Sequence, residues 1–295
     1  NIPLWLINLW ISEFGRDKTE DLCAWFNEQP KLTARINTIL IDIPQCLTML
    51  NEQGWAVTQD SNYEDIIYIN SHRGSLEKSE AFIKGYITFM DKASMMVARL
   101  VDPKPGDCIL DCCAAPGGKS MYMASLMDNT GSIMSCDIHA HKIELMESNA
   151  SRLGVSIVQT KVQDATQLPN NWDSYFDRVL VDAPCSGLGI LQKKLDMRWR
   201  KQESILSELP PLQLDILERA ARTVKVNGYL IYSTCTLNYK ENEEVVETFL
   251  QKHSEFTIVP VPQDFPLTSN NGMITTNPPK DDMDGFFMVK MQRLS

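Results

Sequence analysis

Two cysteines sit in polar surroundings that are unusual for that residue. Asp182-Ala183-Pro184-Cys185-Ser186-Gly187 and Ser233-Thr234-Cys235-Thr236 each follow a run of aliphatic and aromatic residues. A free thiol is ordinarily an inert, apolar, buried group, which is the reading that fits Cys23, Cys46, Cys108 and Cys136. A thiol at the polar end of a strand can instead act as a nucleophile. Four acids share that placement: Asp111, Asp137 and Asp182 end such runs, and Asp164 lies just past another. A lone Asp there is commonly a turn or helix cap, whereas four in register mark a ligand edge.

The run ending at Asp111 leads into Cys113-Ala114-Ala115-Pro116-Gly117-Gly118-Lys119, whose glycines let the backbone approach a ligand before a helix begins. A dinucleotide fold wants GxGxxG, which is missing, and Cys113 stands where a phosphate-binding loop wants glycine. A nucleoside without a phosphate chain fits better, S-adenosylmethionine being the common one. Asp137, 20 residues past Gly117, is placed for the ribose hydroxyls. The chemistry that needs a thiolate beside that ligand is methylation at C5 of a pyrimidine. C5 is too weak a nucleophile until a thiolate adds to C6 and turns the ring into an enamine. Asp182, if protonated, is placed to stabilise charge developing at N3.

Alternating elements position these groups. From Ala93 the pattern gives strands at Cys108–Asp111, Ser132–Asp137, Ile157–Lys161, Arg178–Asp182 and Tyr229–Ser233. Helices fill the gaps at Lys119–Met127, His141–Leu153, Leu212–Val224 and Glu241–Lys252. That alternation predicts an α/β protein with a doubly wound, mostly parallel sheet. Residues 260–284 read as a long loop and Phe286–Met291 as a last strand. The first 85 residues read as a small α+β unit, with strands at Leu32–Leu40, Trp55–Thr58 and Ile66–Ile69 and a helix at Gln45–Gln53. Leu4, Ile7, Ile11 and Phe14 recur at helical spacing before them. The domains are therefore expected at 1–85 and 86–295.

Composition bounds the rest. With 295 residues, 43% hydrophobic and 22% charged, the chain is neither disordered nor fibrous, and no run of about 18 apolar residues spans a membrane. The opening NIPLWLINLWI lacks the basic flank and cleavage site of a signal peptide. The chain begins without Met and reads as a piece of something longer. Eight cysteines without a CxxC pair exclude a disulfide scaffold and structural zinc, so no metal is expected and the thiols read as reduced and cytoplasmic. A net charge of −10 argues against holding nucleic acid by global charge. One segment runs the other way: Lys193, Lys194, Arg198, Arg200 and Lys201 surround Trp199. With Arg35, these basic residues are expected to line an RNA groove.

These motifs resemble the Sun family of RNA 5-methylcytosine methyltransferases, in its branch acting on small-subunit ribosomal RNA. The resemblance is carried by Leu110–Ser120 (LDCCAAPGGKS), Leu180–Leu191 (LVDAPCSGLGIL), Tyr232–Leu237 (YSTCTL) with Glu241-Asn242-Glu243, and Asp284–Phe287 (DGFF). It implies a class I S-adenosylmethionine-dependent methyltransferase fold after a small RRM-like subdomain, acting as a monomer on RNA. Cofactor residues carry over to Cys113–Lys119, Asp137, Asp164 and Asp182. The nucleophile carries over to Cys235, and release of the product to Cys185; the residue pattern alone does not order the two thiols. Two departures stand out: Met90 precedes Asp91 where family members often carry Gln, and an N-terminal helical RNA-binding domain of the family would end before this chain starts. The competing expectations are a DNA cytosine-C5 methyltransferase, using the Pro-Cys thiol as nucleophile, and a catalytically silent RNA-binding or ribosome-assembly protein.

Overall fold

The computed structural model describes residues 2–295. The first strand-forming runs pair into an antiparallel sheet of β1 (Leu32–Ile36), β2 (Ala56–Gln59), β3 (Ile66–Ser71) and β4 (Ile87–Phe89), ordered β2-β3-β1-β4. Helix Ile43–Glu52 covers it. Asp42 starts that helix by accepting from the Gln45 N–H at 2.8 Å, with Pro44 in the first turn. Cys46 and Leu50 then share a core with Ala34, Ile36, Ile67 and Ile69, and each large aliphatic buried there contributes roughly 1.5–3 kcal/mol.

The second sheet holds β5 (Cys108–Asp111), β6 (Ser132–Asp137), β7 (Val158–Val162), β8 (Phe176–Asp182), β9 (Val224–Thr234), β10 (Phe256–Ile258), β11 (Met273–Thr275) and β12 (Phe287–Arg293). Its order is β10-β12-β9-β8-β5-β6-β7, with β11 also on β12. Strands β5 to β9 run parallel, and β12 returns antiparallel against β9. Both faces are covered, so β8 buries alternate residues on opposite sides. Leu180 packs with helices Lys92–Val101 and Gly118–Leu126, whereas Val179 and Val181 pack with helices Ile205–Thr223 and Glu243–Lys252. This is the doubly wound class I methyltransferase fold. The chain leaves β5 toward β6 on one side and reaches β8 on the other, so the carboxyl ends of β5 and β8 open a crevice.

Three expectations change. The helix expected from Leu212 begins at Ile205 and runs through Pro210 and Pro211, each of which removes one ladder bond without ending it. The long loop at 260–284 contains β11 and the short helix Pro278–Asp281. A division after residue 85 does not follow the packing. Strand β4 belongs to the small sheet, while helices Leu4–Phe14 and Arg16–Trp25 bury Leu6, Trp10 and Leu22 against Leu188, Leu191, Leu206 and Leu237 of the larger unit. Among the described residues no helix is long and apolar enough to cross a membrane, and no group of three or more His, Cys, Asp or Glu is placed to hold a metal ion.

That docked first helix carries a titratable group. Burial pushes the Glu13 carboxyl up to about 7; Glu243 and Glu241 add to the rise, while the Tyr239 N–H and Lys240 oppose it. A carboxyl raised on folding contributes stability that is present below its ordinary 4.5 and lost as pH rises through 7. Glu13→Gln keeps the acceptor without the charge. It is expected to melt a few degrees above the parent at pH about 8, the gap closing as pH falls toward about 4.5. Melting curves showing a constant gap across that range would refute the assignment.

Candidate active site

Parallel pairing of β8 with β9 sets Asp182 opposite Ser233, so the loops that follow carry Cys185 and Cys235 out side by side. The two Sγ atoms lie 3.2 Å apart. A buried carboxylate ties the loops together. Glu241 accepts from the Ser186 N–H (2.8 Å) and Oγ (2.5 Å), from Gln213 Nε2 (2.9 Å) and from Asn238 Nδ2 (3.0 Å). Ser186 Oγ also meets Thr236 Oγ1 at 2.9 Å. A second clamp is pure backbone: the Gly189 N–H donates to the Cys235 carbonyl and the Gly285 N–H to the Gly189 carbonyl. A Cβ on Gly189 would lie 1.8 Å from the Gly285 carbonyl oxygen, so only glycine allows this crossing. The Asp-Gly-Phe-Phe segment earns its place by that contact.

Lys119 reaches the same spot from the second position of helix Gly118–Leu126. Its Nζ donates to Asp182 Oδ2 at 2.7 Å and lies 3.4 Å from Ser94 Oγ. Burial works against the ammonium, but the charge and hydrogen bond of Asp182 outweigh it, and Cys235 adds a smaller attraction; the Lys119 pKa ends above its ordinary value. Asp182 Oδ1 accepts from Ser233 Oγ at 2.8 Å. Both oxygens of Asp182 therefore already accept hydrogen bonds, one from Lys119 and one from Ser233. The thiols are not equivalent. Hydrogen bonding to Cys235, then burial, pushes the Cys185 thiol well above the usual range. Beneath them, burial raises Asp111 to about 7 despite the Ser120 hydroxyl donated at 2.6 Å.

A cavity of about 430 Å³ runs from the thiols to Asp137 and Asp164. Asp137 Oδ1 accepts from the His139 N–H at 3.0 Å and lies 3.5 Å from Lys142 Nζ. Asp164 Oδ1 accepts the Thr166 N–H and hydroxyl, the capping role that a lone strand-end Asp often plays. Among the described residues no protein group binds Oδ2 of either acid, and both residues line the cavity. In the expected loop, Cys113 and Ala115 face the cavity, Ala114 is buried, and Pro116, Gly117 and Gly118 shape the turn that delivers Lys119.

Sequence reasoning missed Ile138, an apolar side chain 56% exposed on the cavity wall, and Gln163, Pro184 and Met197 beside it. An aliphatic residue directly after a strand-end acid is the signal that could have found Ile138. The tie made by Glu241 was also missed, because partners 28 and 55 residues away leave no local pattern.

The expected RNA groove is only partly there. Arg35 is fully buried in β1, 5.2 Å from the centroid of the Tyr122 ring, and cannot meet RNA. Arg198 is buried too, its guanidinium donating to the Leu191 carbonyl (3.2 Å), Asn27 Oδ1 (2.9 Å) and the Phe26 carbonyl. Lys193 is committed to Asp91 and to Asp284, the latter at 3.0 Å. Arg35 and Arg198 were expected at RNA because basic residues usually lie at the surface; here both are buried, while Lys193 stays at the surface in two ion pairs. Lys194 and Arg200 remain exposed.

Residues 98–292 match the family described as 16S rRNA methyltransferase RsmB/F, and residues 2–74 match a ferredoxin-like domain of RsmF/B-like methyltransferases. The chain is 36% identical over 297 residues to a protein of Bacillus subtilis and 35% identical over 301 residues to one of Synechocystis, both named "Probable ribosomal RNA small subunit methyltransferase B". Those alignments cover 99% of this chain and 66% and 67% of the relatives, so the chain spans about two thirds of their length. The solved structure of NSun6 from Pyrococcus horikoshii with SFG superposes with a TM-score of 0.90 over 99% of this chain and 98% of that one; at 22% identity it shows a common fold alone. Sheet order, small N-terminal sheet and motif-bearing loops agree with the sequence matches, and the chain belongs to the 16S rRNA methyltransferase RsmB/F family.

Proposed function

We propose that this chain transfers a methyl group from S-adenosylmethionine to C5 of a cytosine in small-subunit ribosomal RNA, through a transient bond between Cys235 and C6. The observation that carries this reading is one cavity bounded by the thiol pair at one end and by Asp137 and Asp164 at the other. The residues suit the nucleoside. Asp137 Oδ2 is free for ribose hydroxyls, Asp164 Oδ2 for an exocyclic amine, and Ile138 offers an apolar wall to a purine face. A volume of about 430 Å³ falls in the usual range for small-ligand sites. When bound, S-adenosylmethionine supplies a methyl group made electrophilic by its sulfonium.

The chain's own groups do the rest. Cytosine differs from uracil by its C4 amine, which needs an acceptor, and Asp182 is one. Lys119 donates to the ring's carbonyl and N3 edge, where negative charge develops. The Cys235 sulfur adds to C6, forming the S–C6 bond and moving a π electron pair toward C5, which becomes nucleophilic. Once C5 carries the methyl group, a base takes the C5 proton, the C5–H electrons re-form the C5–C6 double bond, and the S–C6 electrons leave with sulfur. Cys185, 3.2 Å from Cys235, is placed to pass protons during that release. A DNA cytosine-C5 methyltransferase would use the Pro-Cys thiol as nucleophile; here its hydrogen bond with Cys235 and its burial push that thiol's pKa up, which disfavours the role.

RNA tritiated at cytosine C5 tests the reaction. Tritium is expected in water in step with methyl incorporation, one for one. Methyl incorporation without tritium release would place the chemistry elsewhere on the base.

A further inference from the structure

Just past the Pro-Cys loop, the helical turn Met197–Arg200 points its side chains in opposite directions. Met197 lines the cavity and packs on Gly187; a Cβ there would meet Met197 Cε at 2.4 Å. Arg198 is the anchor, its three hydrogen bonds fixing the turn to the Phe26–Asn27 and Leu191 backbone region. Between these fixed neighbours and Arg200, Trp199 is 66% exposed, and Leu195 on the preceding turn is 58% exposed. An exposed indole held on a rigid turn loses water-shielded packing for no internal gain. Its surroundings carry the wrong sign for the rest of this acidic chain. Lys194 has no acidic partner among the described residues, and the Arg200–Asp196 pair, 3.4 Å apart and open to solvent, contributes little.

We infer that the indole face of Trp199 is a stacking platform for an unpaired RNA base close to the methylated cytosine, with Lys194 and Arg200 meeting the phosphates beside it. The inference rests on the proposed RNA reading and adds a binding group that the reaction itself does not require. Charge decides the occupant. An exposed indole beside one unpaired lysine and one weakly paired arginine suits a nucleotide, which presents both a π face and an anion. Met197 ties the platform to the Pro-Cys loop, so the stacked base is held at a constant distance from the thiols.

The test uses the full chain and a single-stranded oligoribonucleotide carrying one target cytosine. Removing a base-stacking aromatic weakens binding by about 5- to 150-fold. Trp199→Ala is therefore expected to raise KM for the oligonucleotide within that range, with kcat falling far less, and Trp199→Phe to recover most of the loss. Abasic substitutions walked along the oligonucleotide should reveal one position where the parent loses affinity and Trp199→Ala loses nothing further. An unchanged KM in Trp199→Ala, or a loss that no abasic position absorbs, overturns the platform while parent turnover still supports the methyltransferase reading. Absence of parent turnover strikes at the reading itself.

Discussion

Replacing Cys235 with Ala is expected to lower methyl transfer to RNA by at least about 10⁴-fold, the scale seen when a covalent nucleophile is deleted and binding remains. The cause is specific. Without the sulfur, C6 gains no electron donor, and C5 stays an aromatic carbon too poor in electrons to take a methyl group. Affinity for RNA should stay near the parent value, because Lys119, Asp182 and the cavity walls are untouched. Cys235 is partly exposed, so truncating it leaves little internal void, and the melting temperature should hold. Single-turnover incorporation of labelled methyl measures the effect. Residual turnover within tenfold of the parent would remove Cys235 from the reaction.

Cys185→Ala is expected to do something different in kind: RNA and protein remain covalently joined. Release needs a proton taken from C5 and the departing sulfur assisted, and Cys185, its Sγ 3.2 Å from that of Cys235, is the side chain placed to serve there. With it gone, the bond between Cys235 and C6 persists. A denaturing gel should show a band heavier than the protein by the mass of the RNA, dependent on the methyl donor and absent in the double variant Cys185→Ala/Cys235→Ala. The same band in Cys235→Ala alone would reverse the two assignments. Equal, slow turnover by both single variants without a joined species would deny any division of labour between the thiols.

Much of this site was legible because its chemistry is local in sequence. Asp111, Asp137 and Asp182 each end a strand, Asp164 lies two residues past another, and the Gly-Gly-Lys turn opens the helix after β5. The thiols could be located but not ranked from residue pattern alone. Their 3.2 Å contact joins residues 50 apart, which composition and spacing do not contain. The same limit explains Arg35 and Arg198. A cation reads as a surface residue until the fold supplies an aromatic ring or a set of backbone carbonyls to cover it. Helix Ile205–Thr223 was shortened for a related reason: Pro210-Pro211 is a strong local stop signal, overridden by burial of Ile216, Leu217 and Ala220 farther along the same helix. Strand β4 is too brief, at three residues, to stand out before its partner β1 is known.

The pairing of Asp182 with Ser233 reaches beyond these assignments. Both sulfurs depend on the ladder between neighbouring central strands, among the parts of a fold slowest to open. They are stationary fixtures rather than passengers on a swinging arm. On the proposed reading, the travel falls to the nucleotide, which leaves its stack to reach the waiting pair.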